Sequence, residues 1–222
     1  AYGWRLTLDE AKWLLDWHLA RGTNLFFLHA CFYSIRGRRA FESEPDIGIH
    51  NTWWPAFQIL GDYLRRLCWL LSDGREICEV AILTDSNGAA WEAARHLYRS
   101  QIDFLYIDDE ALARATVADG RLAIGPHRFR AVICDPPAKV SSPALEALAA
   151  AGGLVLADWR PESLVDTLVA ALGRDVDWPG APDLRALHYR KEGRDFYLLV
   201  NEGERPLEGD LSLAAAGALE LW

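Results

Sequence analysis

His29, Tyr33, Arg36, Glu42, Asp46, His50, Trp53 and Trp54 crowd into one short stretch of a 222-residue chain. Arginine offers a planar fork of donors, the carboxylates accept, histidine does either, and paired indoles make a flat platform. Planar donors and acceptors beside an aromatic face are what recognition of a hydroxyl-bearing ring requires. A plainer reading stands beside that one. A lone histidine at a strand end is often structural, Trp53 and Trp54 can pack a helix start, and Arg36, Arg38 and Arg39 next to Glu42 and Glu44 form a solvated ion-pair loop.

Other constellations promise less. Thr84-Asp85-Ser86-Asn87-Gly88 lies between an apolar run and a helical pattern, where α/β folds hold phosphates, but it has a single glycine and no P-loop spacing. Cys134 ends an apolar run, yet Asp135-Pro136-Pro137 follows it in place of the small-residue elbow a nucleophile needs. It reads as a core thiol. Cys31, Cys68, Cys78 and Cys134 show no CxxC or Cys/His ligand spacing, so buried free thiols are expected and no metal. Asp108, Asp109 and Glu110 suit a helix N-terminus better than a cation. No cofactor is expected.

The elements that would position these residues follow from periodicity. Thr7 and Glu10 have capping-box spacing, and Ala11, Leu14, Leu15, His18 and Leu19 continue at helical spacing to Gly22. Residues 24–32 form a continuous apolar run, expected to be a strand buried on both faces. The polar excursion of residues 33–51 is long enough to suggest a working loop. Asn51 is the expected N-cap of a helix carrying Phe57, Leu60, Leu64, Leu67 and Leu71. From Ile77 short apolar runs alternate with helical patterns: Val80–Thr84, a helix through Ser100, Phe104–Ile107, a helix from Asp109, Leu122–Ile124, Arg130–Cys134, then helix 142–151, strand 154–157 and helix 161–172. That order predicts an open, mostly parallel sheet flanked by helices. Beyond residue 183 the pattern is all-β, with a hairpin about Lys191-Glu192-Gly193-Arg194, and strands expected at Leu211–Leu213 and Leu219–Trp222.

Composition sets the outer limits. The net charge of −9 argues against nucleic acid and gives no reason to expect a membrane. No apolar run reaches spanning length, and nothing at the N-terminus reads as a signal peptide, so the cytoplasm is the expected compartment unless a leader lies upstream. Seven of the ten tryptophans precede residue 92, which fits either a dense core or a sugar-stacking surface. The chain holds no methionine, opens on Ala-Tyr-Gly-Trp and closes on Leu-Glu-Leu-Trp, as expected of a segment of something longer.

The phrases Leu8-Asp-Glu-Ala-Lys, Arg21-Gly-Thr-Asn-Leu-Phe, His29-Ala-Cys-Phe-Tyr-Ser and Pro45-Asp-Ile-Gly-Ile-His-Asn-Thr-Trp-Trp-Pro resemble the end of the catalytic (β/α)8 barrel of large bacterial glycoside hydrolases. These are similar to the β-galactosidase/β-glucuronidase superfamily and rhamnosidase-like enzymes. The middle resembles the flavodoxin- or amidotransferase-like domain that follows such barrels and, in related galactosidases, mediates trimer formation. The ending resembles the start of a closing β-sandwich. The resemblance implies three parts: residues 1–74 ending a barrel, 75–178 an α/β domain, and 179–222 a β extension. It also implies that both catalytic carboxylates lie upstream of Ala1, so the chain alone would be inactive. Its partners would be carbohydrate in the intact enzyme, the remaining domains of the parent, and a second copy of itself in a homo-oligomer. The eight residues named first would then line one wall of the sugar site. A non-catalytic α/β binding module is the alternative.

Overall fold

The computed structural model describes residues 3–42, 44–85, 91–134 and 142–221. The chain divides into two compact units, Ala1–Gly74 and Arg75–Trp222.

The first unit is helical. Helix α1 (Leu8–Leu19) starts with the expected capping box, in which the Thr7 hydroxyl accepts the Glu10 N–H and the Glu10 carboxylate accepts the Thr7 N–H. Helix α2 (Phe57–Leu70) packs against it, with Leu15 and Leu19 buried on one and Leu60 and Leu64 on the other. Between the helices the Asp16 carboxylate accepts the Tyr63 hydroxyl and pairs with Lys12. Asn51 does not cap α2 directly. A 3-10 turn at Trp54–Ala56 intervenes, because Pro55 fits a tight first turn and Asn51 is committed to Asp46.

The run 24–32 does not form the expected strand. It is irregular, with Ala30 in the left-handed region at φ +74°, and Leu25 is 63% and Phe27 88% exposed. A strand needs neighbours to accept its N–H and C=O groups. In this unit the Ile47 N–H reaches the Ala30 carbonyl at 2.8 Å, and no ladder follows from it.

The second unit is a mixed α/β structure. Its centre is a four-stranded parallel sheet of β2 (Val80–Leu83), β3 (Phe104–Ile107), β7 (Ala131–Cys134) and β8 (Leu154–Leu156), in the order β3-β2-β7-β8. Every residue of β2 and β7 is buried. Strand alternation sorts them to two faces. Val80, Ile82, Ala131 and Ile133 meet Ala93, Ala94 and Leu97 of α3 (Trp91–Arg99) and Leu164 and Leu168 of α6 (Pro161–Leu172). Ala81, Leu83, Val132 and Cys134 meet Leu112 of α4 (Asp109–Ala113), Leu145 and Leu148 of α5 (Pro143–Ala150), and the inserted residues Leu122 and Phe129.

Those last two belong to an antiparallel sheet of β4 (Thr116–Ala118), β5 (Arg121–Ile124) and β6 (His127–Phe129), of which the sequence pattern announces only β5, at Leu122–Ile124. A second antiparallel sheet joins β1 (Arg75–Glu76) to the hairpin of β10 (Leu184–Lys191) and β11 (Arg194–Asn201), with Lys191 opposite Arg194 as the turn pattern predicts. Strands β9 (Val176–Asp177) and β12 (Ser212–Leu213) pair separately. No strand forms at 219–221. The Ser86-Asn87-Gly88 turn and Pro136-Pro137 lie outside the described residues. The four cysteines are free thiols; Cys78 and Cys134 are buried as expected, whereas Cys31 is exposed and Cys68 partly so.

Gly120 tests this packing. Its φ of +68° is left-handed, and a Cβ there would sit 2.9 Å from the Ala151 carbonyl oxygen. Strain and a backbone clash act together, so Gly120→Ala should cost about 1–3 kcal/mol of stability in denaturant unfolding. A neutral result would mean that the β4–β5 turn does not rest against the end of α5.

Candidate functional site

The loop that carries the candidate residues is organised by one carboxylate. Asp46 is fully buried. Its Oδ1 accepts the Phe32 N–H at 2.9 Å and its Oδ2 the His50 N–H at 3.0 Å, while its backbone carbonyl accepts the Asn51 side-chain amide at 2.9 Å. Burial alone would raise this carboxyl. The N–H groups of Phe32, His50 and Gly48 outweigh burial and hold it below the usual carboxylate range. Two indoles fasten the loop's flanks: Trp4 Nε1 donates to the Ala40 carbonyl at 2.6 Å and Trp53 Nε1 to the Leu6 carbonyl at 2.8 Å.

What this frame presents differs from residue to residue. Tyr33 is 99% exposed. His29, Arg36, Glu42 and Trp54 are also exposed, and His50 is half-buried with Nε2 3.3 Å from the Tyr33 carbonyl oxygen. Glu42 pairs with Arg38 at 3.1 Å, an exposed i,i+4 contact of little energetic weight. Trp53 and Trp54 both stack on Phe57, with centroids 6.0 and 5.1 Å away. Thus Asp46 and Trp53 build the loop, whereas His29, Tyr33, Arg36, Glu42 and Trp54 offer side chains to solvent, and His50 does both in part. The exposed set combines a guanidinium, a carboxylate, an imidazole and two aromatic faces, which can hydrogen-bond and stack but hold no poised nucleophile or acid–base pair.

The second unit contains a polar cluster that element-by-element reading of the sequence passes over. The His188 ring, 5% exposed, lies between two carboxylates: Nδ1 is 2.7 Å from Asp175 Oδ2 and Nε2 3.0 Å from Asp195 Oδ1. Arg190 Nε donates to the same Asp195 oxygen at 2.7 Å, and the Tyr197 hydroxyl donates to Asp175 Oδ1 at 2.9 Å. The hairpin register was the available signal, since it sets His188 opposite Tyr197 and Arg190 opposite Asp195. Burial pushes the His188 pKa down, but the two aspartates outweigh it and raise it. Arg190 above all holds Asp195 below its usual range, against burial and with help from His188. With both ring nitrogens engaged the imidazolium is a structural tie.

Elsewhere, the Asp108 carboxylate caps α4 by accepting the Ala111 N–H at 2.7 Å. Among the described residues no group of three or more His, Cys, Asp or Glu is placed to hold a metal ion, and no helix is long and apolar enough to cross a membrane. A cavity of about 210 Å³ lies beside the C-terminal end of α3, lined by Arg99, Gln101, Arg174, Asp177 and Trp178. Comparison of the chain with protein-family models, curated proteins and solved structures returned no match.

Two outcomes follow from these geometries. Asp46→Ala removes the acceptors of several buried amides and should cost about 2–4 kcal/mol. Limited trypsinolysis should then open the loop at Arg36, Arg38 and Arg39 faster than in the wild type, with Asp46→Asn in between; an unchanged cleavage rate would remove Asp46 as the pivot. For His188, a raised folded pKa gives stability that is complete below the unfolded value near 6.5 and is lost as pH rises through the folded value. The stability gap between wild type and His188→Gln should therefore be widest below pH 6.5 and close above it. A gap constant with pH would mean that folding leaves the ring's pKa unchanged, and a gap that widens above pH 6.5 that the ring is held neutral.

Proposed function

We propose that the chain is a section of a glycoside hydrolase, in which residues 1–74 complete a catalytic barrel and the α/β unit braces that barrel or joins copies of the enzyme. The observation that carries the reading is the apolar run 24–32, largely open to solvent and without a strand neighbour among the described residues. A barrel strand is covered by a neighbour on each side and by packing on both faces; removed from that setting it would present such a segment. Its C-terminal end leads straight into the loop built on Asp46, and barrel enzymes place their sites at that end of the strands. The loop's exposed Tyr33, Trp54, Arg36, Glu42 and His29 suit sugar hydroxyls and the flat C–H face of a pyranose.

In this reading the chain supplies one wall of a substrate site and neither catalytic carboxylate. Hydrolysis takes two carboxyl groups roughly 5–9 Å apart across one glycosidic bond. Apolar surface concentrates in the same unit, where Phe27, Phe41, Ile49, Ile59 and Trp69 are all exposed. Large exposed apolar side chains in this number suit a contact with further protein.

The finer fold reading is flavodoxin-like. The order β3-β2-β7-β8 runs as the first four positions of the flavodoxin order, with the reversal of direction between β2 and β7. That order is also what favours the second reading, a non-catalytic flavodoxin-like binding module, because such sheets take ligands at that reversal.

Saturation-transfer NMR on the whole chain separates the two. Rhamnosides, galactosides or glucuronides should give weak signals that Tyr33→Ala and Trp54→Ala reduce several-fold, while p-nitrophenyl glycosides remain uncleaved. Tight binding of flavin mononucleotide with no saccharide signal would overturn the hydrolase reading in favour of the second. Cleavage of a glycoside by the chain alone would overturn the placement of the catalytic carboxylates outside it.

A further inference from the structure

Glu76 and Asp103 present a problem of hydrogen-bond accounting. Asp103 immediately precedes β3, and its Oδ1 accepts the Phe104 N–H at 3.0 Å. The carboxylate also accepts the His188 N–H from β10. Its Oδ2 is sealed from solvent, and among the described residues no donor reaches it. The neighbour of the Asp103 carboxyl is another carboxyl, that of Glu76 on β1, in side-chain hydrogen-bonding contact with it. Two carboxylates cannot make that bond, for neither has a hydrogen to give. One proton between them makes it and at the same time removes the repulsion of two like charges in a poorly solvated site.

We propose that Glu76 and Asp103 share a single proton that works as a latch: while it is held, β1 is fastened to the start of β3, and when it leaves to water β1 loosens from the parallel sheet. The pair joins the two sheets of the second unit. Glu76 pairs with Tyr189 in the antiparallel sheet, whereas Asp103 leads directly into Phe104, the partner of Val80 in the parallel one. The β1 strand is two residues long, so few other bonds restrain it.

The surrounding charges do not substitute for the proton. Arg75 stands next to Glu76 in β1, but its guanidinium donates to the Pro126 carbonyl at 3.2 Å. His127 of β6 bonds the Glu76 backbone, and burial, then Arg75, lower its pKa. Glu79 is neutralised by Arg121 and Arg130 at 2.6 and 3.0 Å. The Cys78 thiol is pushed up by burial and then by Asp103, Glu76 and Glu79, and stays protonated. On β10 the His188 ring is bound to Asp175 and Asp195, and Arg190 to Asp195. Burial raises both members of the pair, and the Glu76 charge raises Asp103 further; Glu76 reaches about 7. A carboxyl raised in the folded state binds its proton more tightly there than in the unfolded chain. Stability is then fullest below the unfolded value of 4.5 and falls as pH rises toward about 7.

Amide exchange on the whole chain tests the latch. Between pH 4.5 and 7 the protection factors of Ile77 and its β1–β10 neighbours should fall by up to about tenfold per pH unit, as one proton requires. Asp103→Asn keeps the acceptor for Phe104 and His188 and gives Glu76 a permanent donor, so it should flatten that dependence; Glu76→Gln should do the same from the other side. Wild-type pH dependence surviving in both variants, or absent from the wild type, would overturn the shared proton. Should one substitution disturb folding, the other carries the test, and His188→Gln, which leaves the pair intact, should retain the fall between 4.5 and 7. Nothing in the pair depends on what the loop of the first unit binds.

Discussion

Strands β2 and β7 are covered on both faces, and that burial dictates most of the second unit. Neither strand can turn a backbone N–H or C=O to water, so each must be laddered on both edges. The order β3-β2-β7-β8 does this with the two fully buried strands inside and the more exposed β3 and β8 outside. Parallel neighbours then need crossovers long enough to return the chain, and these supply the covering layers. Helices α3 and α6 cover one face, and α4, α5 and the β4-β5-β6 insertion the other. Where apolar cover ends, side chains close the remaining groups: the Trp159 indole donates to the Cys134 carbonyl at 3.1 Å, at the end of β7.

The first unit meets the same requirement differently. Among its described residues it contains no sheet, and its apolar segment 24–32 has no ladder. Its order comes from two packed helices and from polar side chains that serve backbone groups, with Asp46 holding the amides of Phe32 and His50 and Trp53 holding Leu6. The result inverts the usual arrangement, since a carboxylate is fully buried while Phe27 and Tyr33 stand out in solvent.

How much of this the sequence foretold depends on the kind of interaction involved. Periodicity is local, so α1 with its capping box, α6, the parallel strands and the 191–194 turn could all be read directly. The run 24–32 was misjudged because apolarity signals a need for cover and cannot say whether cover is present. Of the β4-β5-β6 sheet only β5 is legible, at Leu122–Ile124, because the strands on either side of it are three residues long. In the loop, residue type identified chemically able side chains but could not rank them. Asp46 and Tyr33 looked alike as candidates, yet one binds backbone amides and the other faces water. That distinction rests on contacts 14 residues apart, between Phe32 and Asp46.

The ionisable groups of the second unit follow a rule of their own. No charged side chain lies in the parallel strands β2 and β7, where it would have no partner; the buried ones, Arg185, His188 and Lys191, all sit on β10 of the antiparallel sheet. His188 is the junction. Its ring ties Asp175 to Asp195, its N–H reaches Asp103, and its carbonyl accepts the Ile77 N–H at 2.8 Å. A residue bound through side chain, donor and acceptor at once fixes the strand's position more narrowly than apolar packing, which tolerates sliding. Buried polar networks contribute little net energy and much specificity of register. On β10 that specificity matters, because a one-residue slip would turn His188 out of its aspartate pair, take its N–H from Asp103 and break the link between the two sheets in a single step.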